Sequence, residues 1–362
     1  MADLLIVGTG LMGTSVALAV RDERDVVLRD ATPDRVSAAV ARGAGRAWDG
    51  RERCSHVLLA TPPAVLAAEL LRLQRDGVGR TYGHLCSVQA GVQAEVEAVG
   101  ADAASLCGSH PLAGSERSGP EAASAELFAG RPWVLCPSAL TGGPALAAAG
   151  DLAAACGAEV VRLTAEQHDE TVALVSHLPQ VAASAVAARL LMHPAASGLA
   201  GPGLRDTTRV AASDPALWTD VLALNAAQVG PLVQLLADDL AELARALRVL
   251  AGAGARPSAA ARGVVTDLLA RGRSGRSLVP VKRGEHDRDF VRLAVRVPDR
   301  PGQLAGLLVS AAQAGINVED VRVEHLPGRP TGVIELLVQR GGRDPLARAL
   351  QGDGWDVVPT TL

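Results

Sequence analysis

From residue 1 to about 165, short apolar runs alternate with stretches in which apolar positions recur every three or four residues. LLIVG, DVVLRD, HVLLAT, HLCSV, SLCGSH, PWVLCP and AEVVRL are the candidate strands. Their alternation with helical segments predicts an α/β domain on a mainly parallel sheet covered by helices. From about 166 the strand signal stops. PQVAASAVAARLLM and PLVQLLADDLAELARALRVL carry apolar residues at helical spacing; in the second, Leu232, Leu235, Leu236, Leu240, Leu243 and Leu247 line one broad face and Pro231 suits a first turn. That face needs a partner, within the chain or across a dimer interface. A homodimer is the favoured expectation, because the helical segment is large for a core of its own.

Residues 251–288 mix Gly, Ser, Pro and charge around one short helix-like piece and read as a linker. FVRLAVRV, QLAGLLVSAAQAG, INVEDVRVEH, VIELLVQ, DPLARALQGDG and WDVVP then follow in the order βαββαβ, that of a ferredoxin-like module. The expected domains are 1–165, 166–287 including the linker, and 288–362.

GTGLMGTS follows the first strand directly and opens a helical pattern, with Gly8, Gly10 and Gly13 in GxGxxG spacing around Leu11 and Met12. In that context the motif predicts a Rossmann-type dinucleotide-binding domain. Gly8 permits the tight turn, Gly10 lets the backbone approach a pyrophosphate, and Gly13 lets helix and strand pack closely, while the helix N-terminus favours the anion. Asp30 closes the second strand about twenty residues on, where a carboxylate accepts hydrogen bonds from the adenosine ribose and repels a 2′-phosphate. This favours NAD, although the adjacent Arg29 could accommodate that phosphate. Thr61 ends the third strand, facing the cofactor or serving the turn beside Pro62.

Composition narrows the ligand. The chain of 362 residues is 48% hydrophobic and 20% charged with a net charge of −4, so no basic excess argues for nucleic acid or an anionic membrane. Aromatic residues make up 2%, too few for a base-stacking platform. Cys54, Cys86, Cys107, Cys136 and Cys156 lack any CxxC pair; neither a disulfide framework nor a zinc site is indicated, and they read as small buried apolar residues. MADLLIVGTG enters a strand at once, and no later segment reaches about 18 uninterrupted apolar residues. A cytoplasmic protein with a small diffusing ligand is expected.

In a doubly wound sheet the carboxyl ends of the strands converge on the ligand crevice. Ser87 in HLCSVQ, His110 in LCGSHPLAGSE and Glu116 six residues later stand at such ends. A neutral histidine there can take the proton of an alcohol as hydride leaves the carbon, with a serine to orient it; equally, His110 can serve a turn before Pro111. Arg205 and Arg209, four apart, can share a helical face as a carboxylate clamp or lie on the surface with Asp206. His177, ahead of a Leu-Pro pair, reads by itself as a turn or cap residue.

Together, GTGLMGTS, CSVQ, GSHPLAGSERSGPEAASAELFAGRPWVLCP, SHLPQ and GLRDTTRVA, in this order, resemble the prephenate/arogenate dehydrogenase family of tyrosine biosynthesis. VPDRPGQLAGLL and GINVEDVRVEH resemble an ACT domain, a ligand-sensing module. The resemblance implies an NAD-binding domain, a helical dimerisation domain and a regulatory tail that senses an aromatic amino acid near Asn317 and the DRPG turn. It implies that His110 is the catalytic histidine and that Ser87 contacts substrate and histidine. It further implies that Arg209, and more weakly Arg205, binds a substrate carboxylate, that His177 lies in the active site and that Glu116 stands near its entrance. The family often has a lysine where this chain has Gln89, so one cationic contact is expected to be missing. Prephenate is the implied substrate and arogenate the alternative. Competing readings are an imine or β-hydroxyacid reductase, which gives no reason for SHPLAGSE, and a non-catalytic amino-acid sensor.

Overall fold

A computed structural model describes residues 1–114, 117–252, 258–279, 289–325 and 330–358. Glu116 lies outside them. The chain packs as two units, Met1–Leu236 and Ala237–Leu362.

The first unit opens with an eight-stranded sheet in the order β3-β2-β1-β4-β5-β6-β7-β8. Its strands are β1 (Ala2–Val7), β2 (Val26–Arg29), β3 (Arg46–Ala47), β4 (Cys54–Leu59), β5 (Gly79–His84), β6 (Leu106–Pro111), β7 (Pro132–Cys136) and β8 (Glu159–Arg162). β1 to β6 are mutually parallel, and only the β6–β7 pairing is antiparallel. Helices α1 (Leu11–Val20), α2 (Pro33–Ala41), α3 (Pro63–Arg75), α4 (Ala90–Ala98) and α5 (Gly143–Ala155) connect the strands. Leu4 and Ile6 enter one core with Val16, Leu28, Trp133 and Leu152. Leu5 and Val7 point the other way, into a core with Leu59, Leu66, Leu70 and Tyr82. Successive strand residues face opposite sides, so a sheet covered on both faces reads as a continuous apolar run.

That rule also explains a correction. The strand expected at HLCSV is instead Gly79–His84, GRTYGH, and Ser87 lies on the loop beyond it. The polar letters concealed it: Thr81 and Tyr82 are buried, and the Tyr82 hydroxyl donates to the Leu73 carbonyl at 3.1 Å and accepts from the Gly79 N–H at 3.0 Å. All five cysteines are buried and free.

Helices follow: α6 (Ala165–Val172), a π turn (Ala173–His177), α7 (Leu178–Arg189), α8 (Pro202–Thr208), α9 (Pro215–Leu224) and α10 (Ala226–Gly252). Pro231 therefore lies inside α10 rather than in its first turn. The helix starts earlier because Asn225 closes α9 and its carbonyl receives the Gln228 and Val229 N–H groups. The stretch Ala165–Met192 is long and apolar enough to cross a membrane by length and composition, as is the pair α9 and α10, bent by 100°. The first of these carries His168, Asp169, His177 and Gln180, all buried.

In the second unit, the expected linker contains an 18-residue helix, α11 (Ala259–Arg276), with the Ser258 hydroxyl accepting the Ala261 N–H at 3.3 Å. Arg271 ties it to α10 through Asp239 at 2.8 Å. Its Gly, Ser and Arg content hid the helix, which is held by caps and ion pairs more than by an apolar stripe. The terminal module is β9 (Phe290–Pro298), α12 (Gln303–Gln313), β10 (Asp320–His325), β11 (Thr331–Gln339), α13 (Arg343–Gly352) and β12 (Asp356–Val357). Its antiparallel sheet, in the order β10-β11-β9-β12, packs on both helices through Leu293, Val295, Leu307, Leu336, Leu346 and Leu350. This βαββαβ arrangement is consistent with a ferredoxin-like fold.

Candidate active site

The glycine turn fulfils its three roles separately. Gly8 has φ +103°, and a Cβ there would stand 2.4 Å from the Ala60 carbonyl oxygen. At Gly13 a Cβ would stand 2.0 Å from the Gly8 oxygen. Nothing lies within 4 Å of a Cβ at Gly10, so the first and third glycines serve packing and the second leaves open space at the helix start. Leu11 and Met12 begin α1 directly, turning its free N–H groups to that space.

Asp30 pins the turn from β2. Its Oδ2 accepts the Thr9 N–H at 2.7 Å and the Thr9 hydroxyl at 3.2 Å, and its Oδ1 accepts the Thr32 N–H at 2.9 Å. A carboxylate has about four acceptor positions, so it can still accept a ribose hydroxyl. Arg29 is engaged elsewhere: it pairs with Glu69 and lies over the Trp48 ring at 5.8 Å. Arg29, the cation next to Asp30 in sequence, is thus occupied. The Thr61 hydroxyl, just past β4, is buried without a hydrogen-bond partner among the described residues, as a ligand-facing group would be. These residues fit a dinucleotide and favour NAD.

Strand register carries the same edge across to the histidines. Val7 pairs with Leu59, Leu59 with His84, and His84 with Gly108. His110 lies two residues further along β6, about 14 Å from β1 at roughly 4.8 Å per strand step.

Around it the fold gathers three more of the chain's eight histidines. His110 Nδ1 lies 2.9 Å from His168 Nε2, and His168 Nδ1 lies 2.8 Å from Asp169 Oδ1. The Asp169 carboxylate also accepts the N–H of Gln89 on Oδ1 at 2.9 Å and of Ala90 on Oδ2 at 2.8 Å. It therefore sits on the N-terminus of α4, where a negative charge is favoured. Asn225 Nδ2 donates to the Asp169 carbonyl at 2.9 Å and lies 3.1 Å from His177 Nδ1. His177 closes the π turn and meets the Trp218 ring edge-on at 5.8 Å. Burial, with His168, His177 and His84 alongside, pushes the His110 imidazole down to about 3. His84 is pushed to about 4 by burial and by His168, and burial lowers His177 too. At neutral pH the His110 imidazole is uncharged.

Gln89 replaces the expected lysine with an inward brace. Its Nε2 donates to the Cys86 carbonyl at 2.6 Å and the Ser109 carbonyl at 3.2 Å, tying the β5–α4 loop to β6. The side chain is fully buried.

The remaining candidates are less tightly gathered. Ser87 is half-buried on that loop and makes no hydrogen bond to a described residue. Arg205 and Arg209 are exposed, on a segment that packs against α7. The two are not on one continuous α-helix: α8 stops at Thr208 and Arg209 begins a tighter turn. Asn317 belongs to the second unit, exposed, with its amide donating to Glu319. His84, His168, Asp169 and Asn225 were absent from the sequence candidates. A signal existed: EQHDETV places a His-Asp pair at the start of a stretch that is otherwise apolar, eight residues before SHLPQ.

Residues 16–162 match the family described as "Prephenate dehydrogenase, nucleotide-binding domain", and residues 164–254 match "Prephenate dehydrogenase, dimerization domain". The chain is 36% identical to "Probable prephenate dehydrogenase NovF" of Streptomyces niveus, over 98% of this chain and 99% of the relative. Among solved structures, a putative prephenate dehydrogenase from Corynebacterium glutamicum superposes with a TM-score of 0.64 at 26% identity, covering 77% of this chain and 90% of the other. The prephenate dehydrogenase of A. aeolicus, solved with hydroxyphenyl propionate and NAD+, has the same fold, with a TM-score of 0.64 at 24% identity, covering 76% and 98%.

Proposed function

The chain belongs to the prephenate dehydrogenase family, and on that premise we propose that it oxidises and decarboxylates prephenate to 4-hydroxyphenylpyruvate with NAD, in tyrosine biosynthesis. One observation carries the reading: an uncharged, histidine-backed His110 at the end of β6, on the sheet edge that holds the glycine turn. NAD, bound along that edge by Gly8, Gly10, Leu11, Met12, Gly13, Asp30 and Thr61, supplies the hydride acceptor.

The chain's residues handle the rest. His110 Nε2 takes the ring hydroxyl proton as the hydride leaves the same carbon. The ring carboxylate departs as carbon dioxide, and its bonding electrons aromatise the ring and reach the oxygen, which recovers the proton from His110. Ser87 contacts the substrate hydroxyl. Arg209 binds a substrate carboxylate, with Arg205 the weaker candidate, because a bidentate guanidinium suits such a group. His177 meets the substrate's side chain, and Glu116 stands near the entrance. The domain limits 1–165, 166–287 and 288–362 follow this division of labour.

Three further parts belong to the same reading. The chain works as a homodimer: Leu235, Leu240 and Leu247 on α10 are exposed, and a second copy is the natural cover for such a face. Residues 288–362 act as an ACT domain that binds an aromatic amino acid beside Asn317 and the DRPG turn. The protein is cytoplasmic, where its cofactor is found. Purified protein is expected to form NADH with prephenate and NAD, and arogenate is the alternative substrate; no NADH from either overturns the reading. Sedimentation tests the dimer, and unchanged tyrosine sensitivity in Asn317→Ala removes that residue from effector binding.

A further inference from the structure

The hydrogen bonds around Asp169 have directions as well as lengths, and the directions matter for a base. The starting points are fixed. A backbone carbonyl can only accept, so the Asn225 atom bonded to the Asp169 carbonyl is the amide nitrogen. The same NH2 group then directs its second hydrogen at His177 Nδ1. His177 Nδ1 must be the lone-pair nitrogen and Nε2 the protonated one. On the other side, both Asp169 oxygens receive backbone N–H groups from the start of α4, as suits a carboxylate at a helix N-terminus. His168 Nδ1 then donates to Oδ1. With both rings neutral, His168 Nε2 holds a lone pair and accepts from His110 Nδ1. His110 Nε2 is left bare.

We propose that Asp169, acting through His168 on one side and Asn225 on the other, sets His110 and His177 in opposite tautomers. His110 presents a lone pair at Nε2 and His177 presents an N–H at Nε2. His168, Asp169 and Asn225 are positioning residues: their described bonds run to His110, His177 and the backbone. The division suits the two ends of a substrate. A ring hydroxyl must surrender a proton and needs an acceptor, whereas a side-chain carbonyl or carboxylate oxygen needs a donor. As the proton arrives at His110 Nε2, the imidazolium forms at the head of a chain ending in a carboxylate. That arrangement orients the ring and stabilises its charge without passing the proton on, as in the serine protease triad. The inference rests on the proposed function for its consequence in turnover, and on the hydrogen-bond geometry alone for the tautomers.

The test is the nitrogen spectrum of the full chain with 15N-labelled histidine, free of ligand, at neutral pH. His110→Asn and His177→Asn assign the two rings. Nδ1–H for His110 and Nε2–H for His177 is the expected result; Nε2–H for His110, or the same tautomer in both rings, overturns the proposal. Asn225→Leu should change the His177 tautomer and leave that of His110 alone. In Asp169→Ala the acceptor for His168 Nδ1 is gone, so His168 is free to donate from Nε2 and His110 should gain an Nε2–H population. Turnover in that variant should fall about 10²–10⁴-fold, the usual worth of a correctly poised general base. KM for NAD should stay within about twofold, as for loss of an interaction made only in the transition state. Loss of turnover with the His110 tautomer unmoved would mean that Asp169 merely supports the fold. Since the spectra need no substrate, correct tautomers in a wild-type protein inactive on prephenate and arogenate would sink the proposed reaction and leave this inference standing.

Discussion

The glycine turn and the histidine cluster occupy one sheet edge and are built in opposite ways. The turn consists of consecutive residues, 8–13, and its ligand space is open because Gly10 has no side chain. The cluster is filled with side chains drawn from five segments, and apart from the His168–Asp169 pair its bonds join residues 48 to 80 positions apart. The requirements differ. A pyrophosphate asks for backbone N–H groups and close approach, which local sequence can supply. A base asks for a lone pair on a chosen atom, and that takes neighbours whose own hydrogen bonds are already settled.

The sharpest way to separate the two is to disable each alone. His110→Asn removes the acceptor and keeps the turn, so kcat should drop about 10²–10⁴-fold, the usual worth of a general base. NAD affinity, measured by fluorescence titration, should hardly change. Near-normal turnover would mean that the proton goes elsewhere. On the other side of the comparison, Gly13→Ala forces a Cβ to within 2.0 Å of the Gly8 oxygen. Backbone cannot swing away as a side chain can, so stability should fall by about 1–3 kcal/mol, the usual range for overpacking, or more. Gly10→Ala meets nothing within 4 Å. It should keep the melting temperature of the free protein while weakening NAD about tenfold, as expected when a glycine is needed for the ligand's approach. Equal behaviour of the two alanine variants would undo the separation of roles within the turn.

The same contrast explains what could be read in the chain before its fold was known. The glycine turn, Asp30 and the alternation of elements were legible because each depends on neighbours in sequence. His110 alone was ambiguous, a base or a turn residue, and family resemblance moved it towards a base. His168, Asp169 and Asn225 stayed out of sight because their meaning depends on bonds across dozens of residues. Gln89 shows the limit most plainly: resemblance marks it as a lost cation, whereas the fold turns its amide inward onto Cys86 and Ser109. β5 was misplaced by a Thr-Tyr pair that is buried and hydrogen-bonded, and α11 was read as only a short helix-like piece because its stability comes from a cap and from ion pairs.

Arg209 tests how far the site extends beyond the cluster. It is exposed, in a tighter turn after α8, and its proposed carboxylate bond is charge-assisted. Removing such a bond costs about 1.5–3 kcal/mol. Arg209→Gln should therefore raise KM for prephenate about 10- to 100-fold with kcat much less affected. An unchanged KM would move the clamp to Arg205 or elsewhere.

The smallest expected effect is in the acid response of activity, and it is informative because stability should behave differently. An ordinary histidine of pKa about 6.5 is mostly protonated at pH 5.5. Burial pushes His110 down to about 3, so it remains an acceptor there, and kcat/KM, which reports the free enzyme, should lose little to this group between pH 7 and 5.5. Stability should fall over the same interval. His110, His84 and the buried His56, the last also pushed to about 4, bind protons more readily in the unfolded chain. The stability each contributes is therefore complete above the unfolded value near 6.5 and is lost as pH falls towards the folded one. At about 1.4 kcal/mol per pH unit for each group, denaturant midpoints should decline steadily below pH 6.5. A kcat/KM limb at an ordinary histidine value, with flat stability, would mean that His110 is more solvated than its neighbours allow, and that the cluster is as open as the turn.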